Sequence, residues 1–197
     1  MNKPLTLLLT GRSGCGKGTQ ADLLRGYLEK NTEGPVLYVY AGDKMRELVE
    51  KETSLTSKLA KEIMMSGKKQ PDFLAVWSWS NELVAKLTED ANLIIDGSPR
   101  TAIEAKVLDE AFEFYKRENI KPILLEVSCE WASERLLARK RFDDTEERIK
   151  NRLEYFEKFV SPAIEYYEKE SKNKLIRVNG EQSIEKVHKE IMRKLDL

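Results

Sequence analysis

The sequence has little of several things. Among 197 residues there are two cysteines, Cys15 and Cys129, and one histidine, His188. Charge of neither sign is in excess, with 34 Lys and Arg against 34 Asp and Glu. Two cysteines without a Cys-x-x-Cys spacing encode neither a disulfide scaffold nor a zinc ribbon, so no structural zinc is expected. A single histidine leaves no room for a histidine-rich metal site and little for Ser-His-Asp chemistry. Nucleic-acid wrappers and polybasic membrane binders carry a charge excess, so neither nucleic acid nor membrane is expected as a partner. No apolar run approaches the roughly 18–20 residues that span a bilayer. The start, Met1-Asn2-Lys3-Pro4, leads into only about six apolar-rich positions before Gly11, too few for a signal peptide. The expectation is a cytoplasmic, single-core protein. Nothing in the pattern demands a second subunit, so a monomer is expected.

What the chain does have is enough apolar matter for a core, 41% of its residues, with three Trp, seven Tyr and six Phe. Five short segments rich in leucine or β-branched residues, each ending at a turn signal, read as buried strands: Leu5–Thr10, Val36–Tyr40, Leu93–Ile95, Ile123–Val127 and Leu175–Val178. Helical periodicity fills Thr19–Lys30, Phe73–Leu87, Ile103–Glu118, Trp131–Arg139, Thr145–Lys169 and Ile184–Leu195. Strands apolar on both faces that alternate with helices predict an α/β fold, a five-stranded parallel sheet with helices on both faces. Two stretches interrupt the alternation, 41–70 with several short helical patterns and the charged run 139–144. Both are candidate mobile lobes at the ligand-binding end of the sheet.

The strongest local signal is Gly11-Arg12-Ser13-Gly14-Cys15-Gly16-Lys17-Gly18-Thr19. It follows a strand and opens a helix, as a phosphate-binding P-loop must. The glycines let backbone N–H groups turn inward around a phosphate, and the helix N-terminus adds positive potential. Lys17 then reaches the outer phosphates as a point charge. The residue after the lysine is Gly18 rather than the Ser or Thr that usually holds Mg²⁺. The metal is therefore expected to rest mainly on nucleotide oxygens and water, with Asp96, at the end of the apolar run Leu93-Ile94-Ile95, orienting it through water.

Taken together, the motifs resemble the adenylate kinase family, and more broadly the nucleoside monophosphate kinases, over almost the full length. Gly14-Cys15-Gly16-Lys17-Gly18-Thr19-Gln20 resembles that family's phosphate loop. Ala41-Gly42-Asp43-Lys44-Met45-Arg46 resembles the start of its monophosphate-binding helix, and Asp96-Gly97-Ser98-Pro99-Arg100-Thr101 its Asp-Gly-Phe-Pro-Arg signature. Arg135 and Arg139, then Arg141-Phe142-Asp143-Asp144, resemble its lid hinge and lid, and Thr145 through Arg152 to Tyr155 the helix that follows. The resemblance implies a P-loop NTPase fold whose core is 1–40, 71–138 and 145–197, with a monophosphate-binding lobe at 41–70. It also implies a very short lid at 139–144, which Asp143 and Asp144 could anchor. It further implies reversible transfer of the γ-phosphoryl of ATP to AMP, with Mg²⁺. Arg46 and Arg100 would grip the monophosphate, with Ala41, Lys68, Lys69, Gln70, Gly97 and Glu104 lining its pocket. Gly14, Cys15, Gly16, Lys17, Gly18, Thr19, Arg135, Arg139 and Gln182 would hold the triphosphate. Arg141 and Arg152 would bridge the transferred group.

The chemistry agrees with that implication. The accepting atom is already an anionic phosphate oxygen, so transfer needs charge neutralisation and positioning rather than a general base. Several residues leave the acceptor open. Ala41 stands where adenylate kinases have Thr and pyrimidine monophosphate kinases often have Ala. Glu104 replaces a Gln; ionised, it offers acceptors only, which suits the amino groups of adenine or cytosine or the paired donors of guanine. AMP is the first reading, UMP/CMP the second and GMP the third, while the donor is ATP with GTP as alternative. A P-loop ATPase without a kinase role is a separate reading that the presence of Arg46 and Arg100 opposes. Ser98 replaces the signature aromatic. Arg12 either adds a cation near the triphosphate or points to water, and Cys129 and His188 read as structural.

Overall fold

Parallel strands buried on both faces need an apolar residue at nearly every position; Leu7–Leu9, Val36–Tyr40, Leu93–Ile95 and Ile123–Leu125 supply it, while the edge segment Ile176–Asn179 alternates apolar with polar. A computed structural model describes residues 3–51, 53–66, 68–139 and 145–197, the side chain of Arg139 excepted. The strands are β1 (Leu5–Gly11), β2 (Val36–Tyr40), β3 (Asn92–Asp96), β4 (Asn119–Glu126) and β5 (Ile176–Asn179). The helices are α1 (Lys17–Asn31), α2 (Ala41–Lys51), α3 (Leu55–Met65), α4 (Asp72–Lys86), α5 (Ala102–Phe114), α6 (Cys129–Arg139), α7 (Glu146–Tyr155), α8 (Ser161–Lys169) and α9 (Ile184–Leu195). The sheet runs β2-β3-β1-β4-β5, with every pair parallel.

The period of two along each strand splits the core into two layers. Leu7 and Leu9 of β1, Ile94 of β3 and Ile123 and Leu125 of β4 face α1 and α9, where Leu24, Leu28, Val187 and Ile191 meet them. Leu8, Leu93 and Ile95 face the other way, against Trp79 and Leu83 of α4, Leu108 and Phe112 of α5 and Tyr167 of α8. A satellite core of Met45, Val49, Ala60 and Leu74 ties α2 and α3 to the start of α4. At the N-terminal ends of the strands, polar groups close the sheet. Asn92 Oδ1 accepts from the Leu5 N–H at 2.9 Å, and Asn92 Nδ2 donates to Thr32 Oγ1 at 2.9 Å. The buried Arg117 donates through Nε to Thr6 Oγ1 at 2.9 Å and through Nη2 to the Leu5 carbonyl at 3.1 Å. No described helix is long and apolar enough to cross a membrane.

Besides α5, which ends at Phe114 rather than Glu118, two elements differ from the sequence reading. β4 begins at Asn119, four residues before the apolar run, because β1 pairs with it from Leu5↔Asn119 onward. Pro122 disguises this stretch, yet β5 pairs with β4 only from Ile123, so on that side the proline interrupts no ladder. The periodic stretch expected as one helix, Thr145–Lys169, is α7 and α8 joined by a π-helical turn at Phe156–Val160. Here the Ser161 N–H bonds back to the Phe156 carbonyl, five residues away rather than four. Pro162, which follows at once, has no N–H to give the Lys158 carbonyl, and its ring would crowd that carbonyl in a normal turn. The wider turn accommodates it.

After β1 the chain crosses to β2 and returns through β3 on one side, then passes to β4 and β5 on the other. The strand order therefore reverses direction between β1 and β3, and ligands of open α/β sheets bind beyond the strand ends at such a point.

Candidate active site

Two loops leave the sheet side by side at that switch point. β1 runs into the phosphate loop and β3 into Asp96-Gly97, with Leu9 level with Asp96 and the Gly97 N–H donating to the Leu9 carbonyl at 3.0 Å. The phosphate loop is packed tightly beneath. Gly14 has φ +89°, and a Cβ there would lie 2.8 Å from the Ala132 carbonyl oxygen of α6, so only glycine fits. Gly180, in the turn after β5, approaches just as closely. A Cβ there would stand 2.7 Å from Val127 Cγ1 and 3.6 Å from the Cys15 carbonyl oxygen. The loop, α6 and the turn 179–182 thus converge on one place.

Lys17 donates to the carbonyls of Gly11 at 2.6 Å and Arg12 at 3.0 Å, which holds its ammonium over the loop. Gly16 caps α1, Gly18 and Thr19 are exposed on its first turn, and Cys15 is buried. A Cβ on Gly18 would lie 3.8 Å from Asp96 Oδ2, so the helix start and the carboxylate are neighbours. Asp96 is only 4% exposed. Burial pushes its carboxyl above the usual carboxylate range, against the opposing pull of Lys17, the Tyr38 hydroxyl and Arg100. Tyr38 was missed in the sequence; from β2 its hydroxyl donates to Asp96 Oδ2 at 3.0 Å. The signal was a tyrosine in a strand read as buried; half-buried in the sheet, its hydroxyl finds the carboxylate as partner.

The monophosphate side is built from the N-terminal ends of α2, α4 and α5. Ala41 is buried at the start of α2. Arg46, one turn on, pairs with Asp43 and lies over the Tyr40 ring, its Cζ 5.2 Å from the centroid. The exposed Arg100 donates through Nε to the Gly97 carbonyl at 2.7 Å. Thr101 caps α5, accepting from the Glu104 N–H at 3.1 Å, and its hydroxyl meets Asp72 Oδ1 at 3.1 Å. Asp72 also pairs with Lys69, while Lys68 is exposed. Gln70 Nε2 donates to the Ala60 carbonyl at 2.8 Å, while its Oε1 is buried without a partner among the described residues.

Glu104 is 1% exposed, and its Oε2 too is buried without a partner among the described residues. Burial raises its carboxyl above the ordinary range, with Arg100, the Arg100 N–H and Ser98 pulling back. Buried acceptor oxygens on Gln70 and Glu104 therefore stand without described donors on the monophosphate side.

The other expected residues scatter more. Arg135, exposed on α6, stacks its Cζ 4.7 Å from the Trp131 ring. Arg152, on α7, is half-buried. Gln182 Nε2 donates to the Asn179 carbonyl and to Glu190 Oε2, each at 2.9 Å. Arg139 ends α6; its side chain, and with it Arg141, Asp143 and Asp144, lies outside the described residues. Arg12 does not point to water. It donates through Nη1 to the Val127 carbonyl at 2.8 Å, pairs with Glu157, and stacks 4.3 Å from the Phe156 ring centroid. His188 is half-buried, its Nδ1 lacking a partner among the described residues, and Cys129 opens α6 partly exposed.

Comparison with known proteins bears on this geometry directly. The family model described as adenylate kinase matches residues 9–172. Adenylate kinase 1 of Nostoc sp. is 33% identical over 189 residues, covering 94% of this chain and 95% of the relative. The adenylate kinase of Petrotoga mobilis is 32% identical over 219 residues, 95% of each chain. That of Prochlorococcus marinus is 33% identical over 181 residues, 92% of this chain and 93% of its own. With a match from the end of β1 to beyond α8, and relatives aligned along nearly their whole length, the chain belongs to the adenylate kinase family.

Proposed function

We propose that the protein is an ATP:AMP phosphotransferase that interconverts ATP plus AMP with two ADP. The observation that carries this reading is the side-by-side exit of the phosphate loop and the Asp96–Arg100 loop, tied by the Gly97 N–H to Leu9. It supports a reading in which a cationic cradle for a triphosphate lies next to an arginine suited to a monophosphate. An oxygen of the AMP phosphate attacks the γ-phosphorus of ATP, and the bond from that phosphorus to the β–γ bridging oxygen breaks. The electron pair leaves on ADP. No proton has to move, so the chain needs cations in fork geometry more than a base. In this reading Lys17 and the loop N–H groups hold the β- and γ-phosphates, Arg46 and Arg100 hold the acceptor, and Arg152 lies along the transferred group. The stretch 41–70 acts as a lobe over the monophosphate, and one chain supplies the whole site, so a monomer is the working unit.

Among the described residues no three His, Cys, Asp or Glu side chains gather into a metal cage. A lone buried carboxylate beside a phosphate loop fits Mg²⁺, which keeps most of its waters and binds through few carboxylates. Asp96, steadied by Tyr38, would hold it through water. When bound, Mg²⁺ neutralises charge on the β- and γ-phosphate oxygens.

The unpartnered oxygens of Gln70 and Glu104 favour a base that carries N–H donors, as adenine does through its amino group. A coupled assay of transfer from ATP to AMP, UMP, CMP and GMP, with Mg²⁺, tests the reading. AMP should be the best acceptor, and slow ATP hydrolysis with no transfer to any of the four would overturn it.

Glu104→Gln should improve AMP binding at pH 7, because the amide gives both a donor and an acceptor to the adenine edge. One hydrogen bond of about 1 kcal/mol corresponds to a KM for AMP about fivefold lower. The variant should also be more stable at neutral pH. A carboxyl raised by burial binds its proton more tightly in the folded chain, so stability falls as pH climbs from the unfolded value toward the folded one. That deficit persists above the window. The melting temperatures of parent and variant should therefore differ at pH 7 and converge near about pH 4.

A further inference from the structure

We propose that Arg12 is a positioning residue, which sets the helix bearing Arg152 against the phosphate loop by gripping the π-helical turn between α7 and α8. The inference rests on the kinase reading above.

The side chain of Arg12 joins three parts of the fold. Its Nη1 donates to the Val127 carbonyl just past the end of β4, its Nη2 pairs with Glu157, and its plane covers the Phe156 ring at 4.3 Å. The carbonyl of the same residue accepts from Lys17 Nζ at 3.0 Å. One residue thus connects the lysine cradle to the π-turn by hydrogen bonds and a stack.

The platform is firm. Phe156 and Val160 are buried, each 6% exposed, and pack with Leu124 and Ile164. The Arg12 side chain is only 20% exposed and Glu157 55%, so the stack on buried Phe156 is the sheltered half of the grip and the ion pair the solvated half.

The placement bears on transfer because of helix geometry. Phe156 lies four residues after Arg152, and residues four apart share a helix face. The Phe156 N–H also donates to the Arg152 carbonyl, so the two belong to one turn of backbone. Fixing Phe156 over Arg12 fixes the rotation of α7 at Arg152. A π-turn carries an extra residue, so it offsets the face of the segment before it relative to the segment after it, and Phe156 opens that turn. Arg12 reaches it from the phosphate loop.

Steady-state kinetics of Arg12→Ala, Arg12→Lys and Glu157→Gln, run well below each protein's melting temperature, test this. Arg12→Ala should lower kcat about tenfold while KM for ATP and AMP stays within about threefold, since the truncation keeps the backbone carbonyl that holds Lys17 and alters no residue of the monophosphate pocket. Arg12→Lys should not restore kcat, because it keeps the charge and loses the planar stack and the fork. Glu157→Gln should show a smaller loss and should add nothing to Arg12→Ala. Arg12→Ala placed on Arg152→Ala should also add little, which a merely structural role would not produce. The proposal is overturned if folded Arg12→Ala keeps kcat within twofold, if lysine restores it, or if the losses with Arg152→Ala multiply. A parent protein that transfers no phosphoryl group would instead overturn the kinase reading.

Discussion

Lys17→Met should leave a folded protein that transfers phosphoryl groups at least about 10³-fold more slowly than the parent, a loss of about 4 kcal/mol in transition-state stabilisation. The ammonium is held over the loop by the Gly11 and Arg12 carbonyls, beside the buried Asp96. Charge on the transferring group passes through this position, and methionine fills the same space without compensating it. Fold stability should change much less. Losing two carbonyl contacts costs about 1–2 kcal/mol, which in a chain of this size lowers the melting temperature by about 2–8 °C. Circular dichroism and the coupled assay on one preparation separate the two effects. A folded variant with parental turnover would mean that the phosphate loop is not where the donor binds.

Arg100→Ala has the second large expected effect, a drop of about 10³–10⁴ in kcat/KM for the acceptor monophosphate with KM for ATP little changed. The guanidinium is exposed, anchored through Nε to the Gly97 carbonyl, and electrostatically felt by both Asp96 and Glu104. An exposed arginine so anchored costs the fold little when removed. Arg100→Lys should recover a fraction of the activity, since a point charge neutralises the phosphate but cannot bind it in two parallel hydrogen bonds. Turnover in a folded Arg100→Ala protein equal to the parent's would sink the assignment of the monophosphate pocket.

Sequence patterns made the layered sheet legible because β1, β2, β3 and the later half of β4 are apolar on both faces, as strands covered by helices on each side must be. The start of β4 was hidden because Asn119, Lys121 and Pro122 carry no apolar pattern; the strand exists there only because β1 lies alongside. The π-turn was hidden because Phe156, Phe159 and Val160 satisfy ordinary helical spacing, and only the effect of Pro162 on the preceding carbonyl gives it away. In the site, Lys17, Asp96 and Arg100 were readable because motif spacing fixes them at the start of α1, at the end of β3 and in the turn that follows β3. What Arg12, Gln70 and Tyr38 do depends on partners 115, 10 and 58 residues away in sequence. No local pattern encodes such pairings. The unpartnered oxygens on Gln70 and Glu104 are likewise products of burial.

The central place of β1 has a consequence for the making of the protein. β1 is translated before the other four strands of the sheet, yet both of its neighbours, β3 and β4, come much later, and Gly14 rests on a carbonyl of α6. At ribosomal speeds of about 5–20 residues per second, roughly 6–24 s pass between the synthesis of Gly14 and that of Ala132. For most of that interval a leucine-rich strand waits without partners on either side. A nascent chain arrested before α6 therefore carries the phosphate-binding sequence without a phosphate-binding site.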